Sequence, residues 1–238
     1  MYKALPVAAA LVVCALAALP TQAATVPAKA AKVTTKGTGW KLTAQLGVTS
    51  LSPGRQYTIT FASSAMKTRY TPYLTAAVAQ VKAAGVKLAI GGVEPVDPAR
   101  CGPVGHIQFT ELYRPLGRAG FSQGMPCPYP PKGVGIGGIV AIDSEYWDGT
   151  WPMPAYKLRN TLVHEPLHAL GLDHPNLDTN KDGKTADYEC VATSAGNTPV
   201  MCSPNGGYRT ATGMGRLTGF DLDGLKALLA NARAQGIK

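Results

Sequence analysis

The sequence predicts one α+β domain behind a short export leader. Three observations carry that expectation. Runs rich in β-branched and aromatic residues fill much of the first half, and a stretch of helical periodicity separates two of them. Two more helical stretches follow in the second half. Between these runs stand clusters of the chain's 27 glycines and 19 prolines, the usual residues of turns.

The elements are justified in chain order. Lys3 followed by apolar Val7 to Leu19 reads as a signal peptide, too short to span a bilayer, with small residues leading to Ala23. Residues 1–23 are therefore expected to be removed and the protein secreted; no other stretch is apolar enough to cross a membrane. Residues 24–54 are rich in Ala, Thr, Lys and Gly, which predicts a flexible lead-in or short pro-segment. Residues 55–238 are the expected domain. Tyr57 to Phe61 alternates as a strand does. Thr71-Pro72 is a suitable helix start, and Leu74, Ala77, Val78 and Val81 continue at helical spacing to Gly85. Val86 to Ile90 and Gly105 to Phe109 are further strands, so that strand, helix and strand suggest a right-handed parallel crossover. His106 is expected to be structural. Residues 115–131 read as a loop with at most a short edge strand, and Ile136 to Ile142 as a buried strand. Tyr156 to Leu172 is a helix. Thr218 opens another, with Asp221 completing a capping box and Leu222, Leu225, Leu228 and Leu229 facing inward.

Composition excludes some classes. The formal net charge is +9, but no cluster of Lys and Arg interleaves with aromatics. Nucleic-acid binding is not expected, and the spread charges read as a solvated surface. Cys101, Cys127, Cys190 and Cys202 lie beyond the leader, an even count that suggests two disulfides in an exported chain. Three pairings are open; Cys101–Cys127 and Cys190–Cys202 are favoured because each links neighbouring loops. A monomer is expected.

The chemistry concentrates in residues 164–174, which read His-Glu-Pro-Leu-His-Ala-Leu-Gly-Leu-Asp-His and hold three of the four histidines. Residues four apart share a helix face, so His164 and His168 can bind one metal ion. Glu165 is placed to act on a water there. Gly171 can take positive φ and turn the chain back, which brings His174 in as a third ligand. Three imidazoles leave a fourth tetrahedral position for water, as in a catalytic rather than a structural zinc site. This HExxHxxGxxH pattern resembles the zinc signature of the metzincin metalloproteases, nearest to the matrix-type and bacterial secreted members. Thr198 to Cys202 resembles their Met-turn, which makes Met201 an apolar floor beneath the histidines. The resemblance implies an α+β fold: a twisted mixed β-sheet with two helices over a zinc-binding helix, a Met-turn and a C-terminal helix. It also implies a secreted zinc endopeptidase acting on protein or peptide substrates. Glu165 would be its general base.

A second metal pattern runs from Asp178 to Glu189 and matches a twelve-residue calcium loop. Asp178, Asn180, Asp182 and Glu189 would offer side-chain oxygens, Lys184 its carbonyl, and Gly183 the sharp turn. A structural calcium ion is expected there.

The chain departs from the family pattern at two points. Pro166 lies between the helical ligands, where it removes a backbone donor and crowds the Leu162 carbonyl. Either the helix is kinked while the ligands still converge, or zinc binding and activity are impaired. Ser203 stands where some metzincins have Tyr; Pro204 and Tyr208 are candidate substrate-binding residues. The competing expectation is a catalytically impaired, calcium-stabilised binding protein on the same scaffold.

Overall fold

The structure, a computed structural model, describes residues 32–238. The expected leader lies outside them, as do residues 24–31 of the expected lead-in.

Residues 32–54 overturn the expectation of a flexible segment. They form β1 (Lys36–Gly37), β2 (Trp40–Leu42) and β3 (Ser50–Leu51). Leu42, Val48 and Leu51 are buried in the main core. Asn231, near the C-terminus, fixes the stretch from one side. Its Oδ1 accepts from the Thr34 N–H at 2.9 Å, and its Nδ2 donates to the carbonyls of Thr34 and Thr49 at 2.8 and 2.7 Å. The strands are two or three residues long, too short for periodicity to register.

β4 (Tyr57–Phe61) turns Tyr57, Ile59 and Phe61 into the core. α1 (Ser64–Ala83) starts earlier than Thr71-Pro72 implied, because Ser63 Oγ caps it by accepting from the Met66 N–H at 3.2 Å. Pro72 is inside this helix, on its exposed face. Burial of Met66, Tyr70, Leu74, Val78 and Val81 on the opposite face offsets the missing N–H. β5 (Leu88–Val93) and β6 (His106–Leu112) both pair parallel with β4, the parallel arrangement that the strand, helix and strand order suggests. β7 (Gln123–Tyr129) is a full edge strand rather than mostly loop. It pairs antiparallel with β8 (Val134–Asp143). α2 (Ala155–Ala169) carries the motif and ends before Leu172; β9 (Leu172–Asp173) follows. α3 (Gly219–Ala234) has the Thr218–Asp221 capping box.

The main sheet runs in the order β3-β8-β6-β4-β5, all parallel, with β7 added to β8 in the opposite sense. It is therefore mixed, and the fold is α+β. A small antiparallel sheet, β1-β2-β9, joins the N-terminal stretch to the chain just after α2. Three α-helices occur among the described residues, so one helix, α1, accompanies the sheet apart from the motif helix and the terminal helix, where two were expected. Cys101 pairs with Cys127 and Cys190 with Cys202. His106 Nδ1 pairs with Glu94 at 2.8 Å, a structural contact. Among the described residues no helix is long and apolar enough to cross a membrane.

Candidate functional site

α2 has two working faces. Val163, Pro166, Leu167 and Leu170 border a small apolar gap shared with Ile59 of the sheet and Leu74 of α1. His164, Glu165 and His168 border a separate cleft. Pro166 therefore points into the core and away from the ligands. α2 runs continuously through it, and the Leu170 N–H still reaches the Pro166 carbonyl at 3.0 Å. The histidines converge across Pro166 within one unbroken helix.

Two glycines let α2 lie directly on the sheet. A Cβ on Gly124 of β7 would overlap the Glu165 carbonyl, and one on Gly138 of β8 would come within 2.6 Å of the Ala169 Cβ. After α2, Gly171 has φ +106°, a conformation other residues rarely adopt. Its Cα also packs against Val48, which a Cβ would meet at 2.6 Å. The Thr43 N–H holds the Gly171 carbonyl at 2.9 Å. β9 then pairs with β2, and Asp173 accepts from Lys41 Nζ at 2.7 Å, Gln45 Nε2 at 2.9 Å and the His174 N–H at 2.8 Å. The N-terminal stretch thus fixes the residue next to the third histidine.

The outcome is convergence. His174 Nε2 lies 3.1 Å from His164 Nε2 and 3.0 Å from His168 Nε2. Among the described residues this is the one place where three His, Cys, Asp or Glu side chains gather as a metal ion requires. His164 Nδ1 donates to the Val200 carbonyl at 2.8 Å, and His168 Nδ1 to the Leu172 carbonyl at 2.7 Å. A carbonyl only accepts, so Nδ1 carries the proton and Nε2 presents a lone pair. The His174 Nε2 can donate to at most one of these two lone pairs, whereas a cation between the three nitrogens satisfies them all. Tetrahedral zinc with bonds of about 2.0–2.1 Å sets its nitrogen ligands about 3.3 Å apart, close to what the side chains adopt.

Electrostatics agree with a ligand set. Burial, then the neighbouring imidazoles, hold His164 well below its usual value and His168 at about 3. Burial also lowers His174. All three are neutral near pH 7, as ligation demands. Burial pushes the Glu165 carboxyl up to about 8, and the Gly124 amide beside it opposes this only weakly.

Val200 and Met201 are held by Asp221, which accepts from both their amides at 3.0 and 3.2 Å and from the Thr218 hydroxyl at 2.7 Å. Burial raises the Asp221 carboxyl above its ordinary value, and these donors pull it back. Met201 is buried, directly after the carbonyl that orients His164.

The cleft has a volume of about 470 Å³ and is walled on one side by Ser122 to Met125 of the β7 region. Pro204 lines it. Tyr208 does not; it packs at Gly213, and its carbonyl accepts from Asn160 Nδ2. Sequence reasoning missed Ser122, Tyr146, Trp151 and Asn205, which also line it.

The Asp178–Glu189 loop does not gather its carboxylates. Asp178 accepts from the Asp182 and Gly183 amides, Asp182 from Lys184, and Glu189 from Thr179, Asn180 and Ala186. The loop is exposed from Thr179 to Tyr188, with Asp178 and Glu189 half-buried at its ends, and Gly183 makes the turn at φ +86°.

No protein-family model matches the chain, and no curated protein matches it.

Proposed function

We propose that this protein is a secreted zinc-dependent endopeptidase of the metzincin type, with Glu165 as its general base. One observation carries the reading: three neutral imidazole nitrogens converge beside a buried carboxyl, in a cleft walled by an antiparallel edge strand. The donor set favours zinc, since it consists of imidazoles with no thiolate and leaves a fourth position open. When bound, zinc supplies Lewis acidity, lowering the pKa of a water and polarising a carbonyl.

The chain's own residues do the rest. Val200 and Leu172 keep two imidazoles in the ligating tautomer. Burial raises the proton affinity of Glu165, and a cation held by the histidines would limit the rise, which suits a base near neutral pH. Glu165 takes the proton from water and returns it to the leaving amine. An extended substrate adds to β7 as a further strand, held by main-chain hydrogen bonds. Calcium in the Asp178–Glu189 loop is part of the proposal on residue order alone.

The test is hydrolysis of an unfolded protein before and after treatment with a zinc chelator. Activity should vanish with zinc and return on its stoichiometric replacement. Hydrolysis indifferent to chelation contradicts the proposal. A zinc-loaded chain that cuts nothing moves the reading to the impaired binding scaffold.

A further inference from the structure

Arg118 and Lys157 border the cleft, and neither has a carboxylate partner among the described residues. Arg118 lies in the loop before β7, its guanidinium 3.6 Å over the Phe121 ring. Lys157 lies in the first turn of α2, its ammonium 6.0 Å from the Tyr188 ring. Both groups border the cleft. Some cations of the domain are paired, Lys41 with Asp173, Arg69 with Glu111 and Arg114 with Glu145, but many others are not, so what sets Arg118 and Lys157 apart is their place on the cleft. Among the described residues that line the cleft Glu165 is the only Asp or Glu, so no second carboxyl there offsets Arg118 and Lys157.

The helix fixes where one of them sits. Lys157, Thr161 and Glu165 are spaced by four residues and so lie along one face of α2. Asn205 ties down the far end, donating from Nδ2 to the Lys157 carbonyl at 3.0 Å and to Thr161 Oγ1. Lys157 stands about 12 Å along the axis from Glu165, the span of about three to four residues of extended chain. Phe121, Tyr146, Trp151 and Tyr188 supply weakly polarisable walls around these charges. A cleft of one sign with such walls concentrates its field and draws in the opposite charge.

We propose that the cleft selects polypeptides with acidic side chains within a few residues of the cleaved bond, bound by Lys157 and Arg118. The inference rests on the peptidase reading and names its substrate class. Lys157 acts on the side of the bond toward the start of α2, and Arg118 from the opposing loop.

The experiment uses quenched fluorescent peptides in pairs that differ by Glu against Gln, scanned over the positions flanking the bond. At low salt the Glu peptide should be cleaved with about three- to tenfold higher kcat/KM at one or more positions. That advantage should shrink toward unity as salt rises past about 0.5 M. Lys157→Glu and Arg118→Glu, made separately, should each reduce or invert the ratio at its own positions. Binding of the same pairs to Glu165→Ala gives a ratio of Kd values that needs no turnover. Equal rates and equal Kd values at every position, or a preference for Gln, overturn the inference. If no peptide is cut, the peptidase reading fails, and the Kd ratio still decides whether the cleft prefers acidic chains.

Discussion

The two metal patterns of this chain behave differently. Residues 164–174 bring three nitrogens together, while the residues of 178–189 with equally regular spacing turn their carboxylates toward their own backbone amides. The first pattern is built on a helix packed against a sheet, and two of its ligands are oriented by fixed carbonyls. The second is exposed between its half-buried ends, and each carboxylate finds a local donor at little conformational cost. Spacing brings side chains near one another; only a rigid support with outer partners holds the lone pairs on a common point.

That contrast can be broken in several ways. The largest effect is expected from His168→Ala, which should reduce bound zinc from about one per chain to near zero, read by elemental analysis of the dialysed protein. Full zinc in that variant would remove the three-histidine centre. Asp173→Ala comes next, because it frees the residue beside His174 from Lys41 and Gln45. Zinc affinity should fall about ten- to hundredfold, measured by competition with a chelator. An unchanged affinity would mean that the β2–β9 pairing alone positions the ligand.

A smaller change is expected from Asp178→Asn combined with Glu189→Gln. Zinc content should be unaffected, and any rise in Tm that calcium gives the parent should disappear. A calcium-dependent rise that survives the double variant places the ion elsewhere. The smallest effect concerns acid stability at Glu94. Burial raises this carboxyl, but donation from Thr60, His106 and Gln108 outweighs burial and holds it below its usual 4.5. A depressed carboxylate stabilises the fold above its unfolded value, and that contribution is lost as pH falls through the folded one. Glu94→Gln should therefore flatten the decline of Tm below about pH 4.5, and an identical acid profile would contradict the assignment.

Much of this was legible from residue order. The spacing of His164, His168, Gly171 and His174 is local information, written in one helix and one turn, so it survived into the structure intact. So did Thr218 and Asp221, whose reciprocal bonds span a single turn. What the order concealed was non-local. β7 contains Gly124, Pro126 and Pro128, which read as turn residues, yet it is an edge strand where proline is tolerated and where Gly124 lets the helix approach. Residues 32–54 look like a linker by composition, and their order comes from Asn231 and Asp173, far away in the chain. Pro72 is the exception, since Met66 and Tyr70 continue the buried face at four-residue spacing back to the Ser63 cap, a local signal that the proline outweighs in the sequence.

The central claim is that Glu165 works on a water beside zinc held by the three histidines. Hydrolysis of an unfolded protein by the parent and by Glu165→Ala, with zinc measured in both, tests it most directly. The account predicts equal zinc in the two proteins, activity in the parent and none above background in the variant. Substantial hydrolysis by Glu165→Ala, or none by the zinc-loaded parent, would contradict it.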